Sequence, residues 1–155
     1  MFRLNDTICK QDLVPHQDDI AIWQRKVVTS DADMKHVIQT ILDAMVAAGF
    51  SDKDVFRLHL ALEEAIVNAN KHAHASDWTK PITVRYHVGE KGVVAEIEDR
   101  GQGFDPECVP DPLAPENLER ASGRGLLLIR TYMSHVCHNA KGNCICMCKE
   151  CALPQ

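Results

Sequence analysis

Between Ser30 and Gly49 the apolar residues Met34, Val37, Ile38, Ile41, Leu42, Met45 and Ala48 recur three or four positions apart, the spacing of one helix face. Ser30 supplies an N-cap and Gly49 a C-terminal stop, so a helix is predicted between them. Ser51, with Asp52 and Asp54 in the following turn, opens a second helix predicted to run to about Ala73. The period then changes. Ile82, Val84, Tyr86 and Val88 alternate with Thr83, Arg85 and His87, GEKG turns the chain, and VVAEIED returns, which predicts a hairpin. Upstream, IAIWQRKVVT (Ile20 to Thr29) reads as a strand. Downstream, Gly101 to Gly125 is rich in Gly and Pro and predicts little regular structure. Leu126 to Met133 reads as a third helix. Ser134–Ala140 and Cys144–Lys149, about Lys141-Gly142-Asn143, read as a last hairpin.

Antiparallel hairpins with helices gathered on one side predict an α+β fold. The expected form is a two-layer α/β sandwich with a mixed, mostly antiparallel sheet covered on one face by helices. Residues 1–19, with Pro15, several Asp and little periodicity, read as an irregular N-terminal arm. Residues 20–151 read as one domain and 152–155 as a tail. A chain of 155 residues can bury a core without disulfide staples.

The net charge of −5, with charged residues at 25%, argues against direct nucleic-acid binding, which would call for a basic stripe. No segment approaches about 20 consecutive apolar residues, and the N-terminus shows no signal-peptide run. A cytoplasmic protein with no membrane association is expected.

Seven cysteines cannot all pair internally. Cys144, Cys146, Cys148 and Cys151 crowd the C-terminal strand, and Cys9, Cys108 and Cys137 are scattered. In a cytosolic setting they are expected to be reduced. On a strand Cys-x-Cys-x-Cys places three sulfurs in a row along one face, roughly 7 Å apart. Zinc needs its sulfurs under about 4 Å apart, so a metal site is not expected there. Structural or incidental cysteines are expected; an exposed row would suit a partner-facing or dimer-facing surface, or no role.

The second helix carries more than one apolar stripe. Val55, Leu58, Leu62, Ala65, Ile66 and Ala69 form one, and Phe56, Leu60 and Val67 another. Two polar edges separate them: His59, Glu63 and Asn70 on one side, and Arg57, Glu64, Asn68 and Lys71 on the other, with His72 nearby. Packing on both apolar stripes would leave one polar edge for solvent and one for a ligand. Glu63 reads as a solvent residue. Glu64 and Asn68 are one turn apart, so their head groups can converge. An amide oxygen can hold Mg²⁺ when phosphates and water complete the shell, and a neighbouring carboxylate can accept a proton from an attacking hydroxyl. A solvated Glu–Asn pair is the plain alternative.

Two glycine motifs accompany that helix. EDRGQGFDP (Glu98 to Pro106) follows a hairpin strand; Asp99 there can accept from an exocyclic amine, and Gly101 and Gly103 let a backbone turn beside a flat base. SGRGLLLIR (Ser122 to Arg130) places Gly123 and Gly125 before a helix, where backbone N–H groups suit phosphate. It is neither a Walker loop nor a GxGxxG fingerprint.

In this order the segments resemble the GHKL ATPases, the group of gyrase, Hsp90, sensor histidine kinases and MutL. ALEEAIVNANKH resembles the N box, DRGQGFD the G1 box and GRGLLLI the G2 box. Within that group the chain is most similar to the anti-sigma-factor serine kinases, over about Ile20 to Lys149. The resemblance implies a Bergerat-type ATP-binding fold with Glu64 as general base and Asn68 as Mg²⁺ ligand. It puts Lys71 and His72 near the phosphates and Asp99 on the adenine amine. Gly101 and Gly103 shape the base pocket, Gly123, Arg124 and Gly125 flank the triphosphate, and residues 106–122 form an ATP lid. It implies a cytoplasmic homodimeric kinase that uses Mg-ATP, phosphorylates a small antagonist protein and sequesters a sigma factor. The sequence departs at KGNCICMC, where many relatives carry a Gly-Thr that helps hold adenine; Asn143 or Cys144 would have to substitute. The alternatives are a non-catalytic ATP-binding partner-switch module, and metal or redox sensing through the cysteines.

Overall fold

The computed structural model describes residues 23–73, 78, 80–101 and 124–151. Strand β1 (Gln24–Val28) leads into α1 (Asp31–Ala47) and α2 (Asp52–Asn68), which continues as a π turn (Ala69–Ala73). Then come β2 (Ile82–Val88), β3 (Gly92–Glu98), α3 (Arg124–Tyr132), β4 (His135–His138) and β5 (Cys144–Glu150). The arm 1–19, strand residues 20–22, the lid 106–122 and the tail 152–155 lie outside the described residues.

Helix boundaries follow their capping residues. Ser30 Oγ accepts from Asp33 N at 3.0 Å, and the Asp33 carboxylate accepts from Thr29 N and Thr29 Oγ1 at 2.9 and 2.7 Å. These satisfy orphan donors at the start of α1. At its end Gly49 has φ +91°, while Phe50 N donates to Met45 O and Gly49 N to Val46 O, both at 3.1 Å. This is a Schellman stop, which needs a residue content in the left-handed region. Ser51 Oγ accepts from Asp54 N at 3.2 Å and opens α2.

The sheet order is β1-β2-β3-β5-β4. All pairings among the described strands are antiparallel, so the expected fold class stands and no mixed pairing occurs among them. Ile82, Val84 and Tyr86 of β2, Val93, Ala95 and Ile97 of β3, and Met147 of β5 turn to the helices. They meet Ile38, Ile41 and Met45 of α1 and Leu58, Leu62 and Ile66 of α2 in one core. Lys149 ties the layers together: its Nζ donates to Tyr132 O at 3.1 Å and lies 3.6 Å from Asp54 Oδ1.

The opposite sheet face carries Arg85, bonded to Glu96 at 2.9 Å, and a smaller apolar cluster of Val94, Cys137, Cys146 and Cys148 with Trp23 against it. Cys144, Cys146 and Cys148 share this face as the strand period requires. They are buried, however, so the exposed row considered from the sequence is not what forms. The expectation of reduced cysteines holds for Cys137, Cys144, Cys146 and Cys151 and fails at Cys148, which is disulfide-bonded.

Helix α2 departs from its sequence reading in two further ways. It packs on one side: Phe56 is 59% and Val67 39% exposed, so the second apolar stripe is solvent-facing. The α geometry also stops at Asn68. The wider π turn that follows carries Asn70 away from the solvent edge shared by His59 and Glu63, and Asn70 is only 6% exposed. Glu63 does face solvent, 3.7 Å from His59.

Candidate functional site

Glu64 and Asn68 sit one turn apart near the C-terminal end of α2, each half-buried. With only one apolar side of α2 packed, two polar edges no longer by themselves ask for a ligand. The stronger indication comes from α3. A Cβ placed on Gly125 would lie 2.6 Å from Asn68 Nδ2 and closer still to Glu64 Oε2. The first turn of α3 is therefore seated directly on the carboxylate and carboxamide, and a side chain at 125 would push both aside. Arg57, on the same polar edge of α2, places its guanidinium 5.8 Å from the centre of the Tyr132 ring and holds the far end of α3 to α2.

Lys71 lies exposed in the π turn. His72 belongs to that turn and Arg124 opens α3; their side chains are outside the described residues, as are Gly103 and Gly123 altogether. π turns inside helices occur often at functional sites, and this one begins at the residue after Asn68. The buried Asn70 Oδ1 has no hydrogen-bond partner among the described residues.

Asp99 and Gly101 form the second group. Asp99 follows β3, and its Oδ1 accepts from Gly101 N at 2.7 Å. That bond closes a turn and fixes one carboxylate oxygen. The Asp99 main chain is gripped by the last hairpin: its N–H donates to Asn143 O at 2.9 Å, and its carbonyl accepts from Asn143 Nδ2 at 3.0 Å. Asn143 is in turn held by Asn139, whose Nδ2 donates to Asn143 Oδ1 at 2.7 Å and whose Oδ1 accepts from Asn143 N at 3.0 Å. Gly142, at φ +77°, lets the hairpin turn this tightly. Of the two candidates to replace the missing Gly-Thr, Asn143 meets Asp99. Cys144 points to the other sheet face, where its Sγ is 3.8 Å from Arg85 Nη2.

Burial pushes the Arg85 pKa down, and the Glu96 hydrogen bond and charge, with Cys144 and Glu98, outweigh it, so the group lies above its usual value. Among the described residues no cluster of three or more His, Cys, Asp or Glu is arranged to hold a metal ion, and no helix is long and apolar enough to cross a membrane.

Sequence reasoning missed Asn139 and Asn70. An Asn ahead of a Gly-Asn turn is a usable signal, since Asn side chains bond nearby backbone. Nothing in the apolar period signals the π turn.

Residues 28–149 match the histidine kinase-like ATPase domain family. The chain is similar to the serine-protein kinase RsbW of Listeria innocua serovar 6a, 38% identical over 57% of this chain and 60% of that one. It resembles the protein of that name from Oceanobacillus iheyensis at 33% over 65% and 68%. The one from Staphylococcus aureus matches at 29% over 70% and 74%. The chain thus spans about 60% of the Listeria relative's length.

Proposed function

Because the chain belongs to the histidine kinase-like ATPase domain family, we propose that it is an ATP-dependent serine/threonine-protein kinase acting as an anti-sigma factor. It would phosphorylate a small antagonist protein and sequester a sigma factor, as a cytoplasmic homodimer whose catalytic domain is residues 20–151. The observation that carries this reading is the seating of Gly125 on Glu64 and Asn68. It brings the first turn of α3 against a carboxylate and a carboxamide, two groups that suit a phosphoryl-transfer site.

The donor set suits Mg²⁺. A neutral carboxamide oxygen on Asn68 would hold the ion with phosphate oxygens and water, and Glu64 stands one turn away. When bound, Mg²⁺ would neutralise phosphate charge. Glu64 would take the proton of the attacking serine hydroxyl as its oxygen bonds to the transferred phosphorus. Lys71 and His72 would add positive charge beside the phosphates, and Gly123, Arg124 and Gly125 would flank them where the N-terminus of α3 favours anions. Asp99 would accept from the adenine amine, with Gly101 and Gly103 shaping the base pocket. Asn143, bonded to Asp99 on both main-chain sides, would keep that carboxylate in place.

Incubation with labelled ATP, Mg²⁺ and the antagonist protein encoded nearby tests the proposal, and phosphoserine on the antagonist is the expected product. Nucleotide binding without transfer would replace the kinase by a non-catalytic partner-switch module.

A further inference from the structure

We propose that the N-terminal residues 1–22 fold back across the open face of the sheet, and that Cys9 is the disulfide partner of Cys148. The face opposite the helices carries Val94, Cys146 and Cys148, each 0% exposed, with His87 and Glu96 buried beside them. Side chains on the outer face of a single sheet have neighbours beside them and, without a further layer, water above them. Full burial therefore calls for a covering segment. Among the described residues, Trp23 is the apolar side chain that packs on the cluster of Val94, Cys137, Cys146 and Cys148 from outside their strands. One indole does not cover four residues on three strands.

Cys148 marks where the cover lies. It is disulfide-bonded, and its partner is not among Cys137, Cys144, Cys146 and Cys151. Of the seven cysteines that leaves Cys9 and Cys108. Within the sheet Cys148 is opposite Val94 on one side and His135 on the other. Its partner therefore belongs to a segment lying over them, with the two Cα atoms about 4.4–6.8 Å apart.

The path of the chain selects Cys9. Trp23, just before β1, already lies on this face, its ring 6.4 Å from that of His87, and His87 is opposite Val94. The preceding residues thus leave from the face that needs covering. Cys9 stands fourteen residues before Trp23, a reach of up to roughly 45 Å. From β2 to β5 is two strand spacings, about 10 Å. Ile8, Leu13 and Val14 supply apolar side chains for the cluster. Cys108 is under the opposite constraint. The chain from Gly101 must arrive at Gly125, which is seated on Glu64 and Asn68 in the helix layer. A bond from Cys108 to Cys148 would send it to the other face of the sheet on the way. Closing the Cys9–Cys148 bond removes two electrons and two protons from the thiols, and dissolved oxygen accepts them as hydrogen peroxide.

The full chain, purified without reductant, alkylated and digested with trypsin without reduction, tests the pairing. The expected link joins the peptide Leu4–Lys10 to the peptide Gly142–Lys149. Cys9→Ser and Cys148→Ser should each abolish it, and dithiothreitol should cleave it. Nuclear Overhauser contacts from the Val94 methyls of the same full chain read the cover, and should reach methyl groups within residues 1–19. A link to the peptide Gly101–Arg120 instead, a link that survives Cys148→Ser, or no link at all overturns the assignment. So does a link or a Val94 contact found only between isotopically distinct copies of the chain, or Val94 contacts confined to the sheet and Trp23.

Discussion

Gly125 approaches Asn68 so closely that a methyl group on its Cα would lie 2.6 Å from the carboxamide nitrogen. In an open helix Gly→Ala stabilises by up to about 1 kcal/mol. Here a Cβ meets the far ends of the flexible Asn68 and Glu64 side chains, which can swing aside, so the cost falls on the site and not on the core. Gly125→Ala should therefore weaken ATP binding with little change in the thermal midpoint. A variant with unchanged affinity would contradict the contact.

Glu64 and Asp99 should separate chemistry from binding. Glu64→Gln keeps size and polarity but cannot take up a proton, so transfer to the antagonist should be lost while ATP still binds. Asp99→Asn can present a donor to the adenine amine, so nucleotide affinity itself should fall. Calorimetric titration beside a transfer assay checks both, and equal loss of binding in the two variants would remove the proposed division of roles.

Asn70 carries a buried Oδ1 with no partner among the described residues, and such an acceptor costs about 1–3 kcal/mol. Leucine has nearly the same shape and no polar atom to satisfy. Asn70→Leu should raise stability by about 1 kcal/mol or more, read as a higher urea midpoint at unchanged slope. A lower midpoint would show that a water pairs with the carbonyl.

The capped and alternating parts of this fold were legible residue by residue. Ser30, Gly49 and Ser51 mark their helix ends as expected, and the β2–β3 hairpin alternates as its sequence does. The approach of the SGRGLLLIR glycine to Glu64 and Asn68 was legible only as a resemblance, because nothing local in 123–125 says which helix α3 meets. The π turn was invisible to a wheel that assumes a constant ~100° step, which is why Asn70 fell on the wrong edge. The apolar stripe of Phe56, Leu60 and Val67 also misled, since periodicity cannot tell a packed stripe from an exposed one. The burial of Cys146 and Cys148 was missed for a related reason. The strand period puts the sulfurs in one row but does not say what covers that face; Val94, Cys137 and Trp23 pack there.

The start of α1 should give the protein a measurable acid sensitivity. The Asp33 carboxylate is held below its usual range by the Thr29 hydroxyl and then by the Thr29 backbone N–H; burial opposes them, and Ser30 and His36 add lesser lowering effects. A carboxyl whose folded pKa is depressed binds its proton more weakly when folded than when unfolded. Its stabilisation is therefore complete above the unfolded value of 3.8 and is lost as pH falls through the lower folded value. Asp33→Asn removes the charge and keeps an acceptor for Thr29. The variant should be less stable than the parent near neutral pH, and the difference should shrink as pH falls through the depressed folded value. Urea midpoints measured for both proteins from about pH 6 down to about pH 2.5 read this out. A constant difference across that range would mean that Asp33 acts through its shape and hydrogen bonds alone, without its charge.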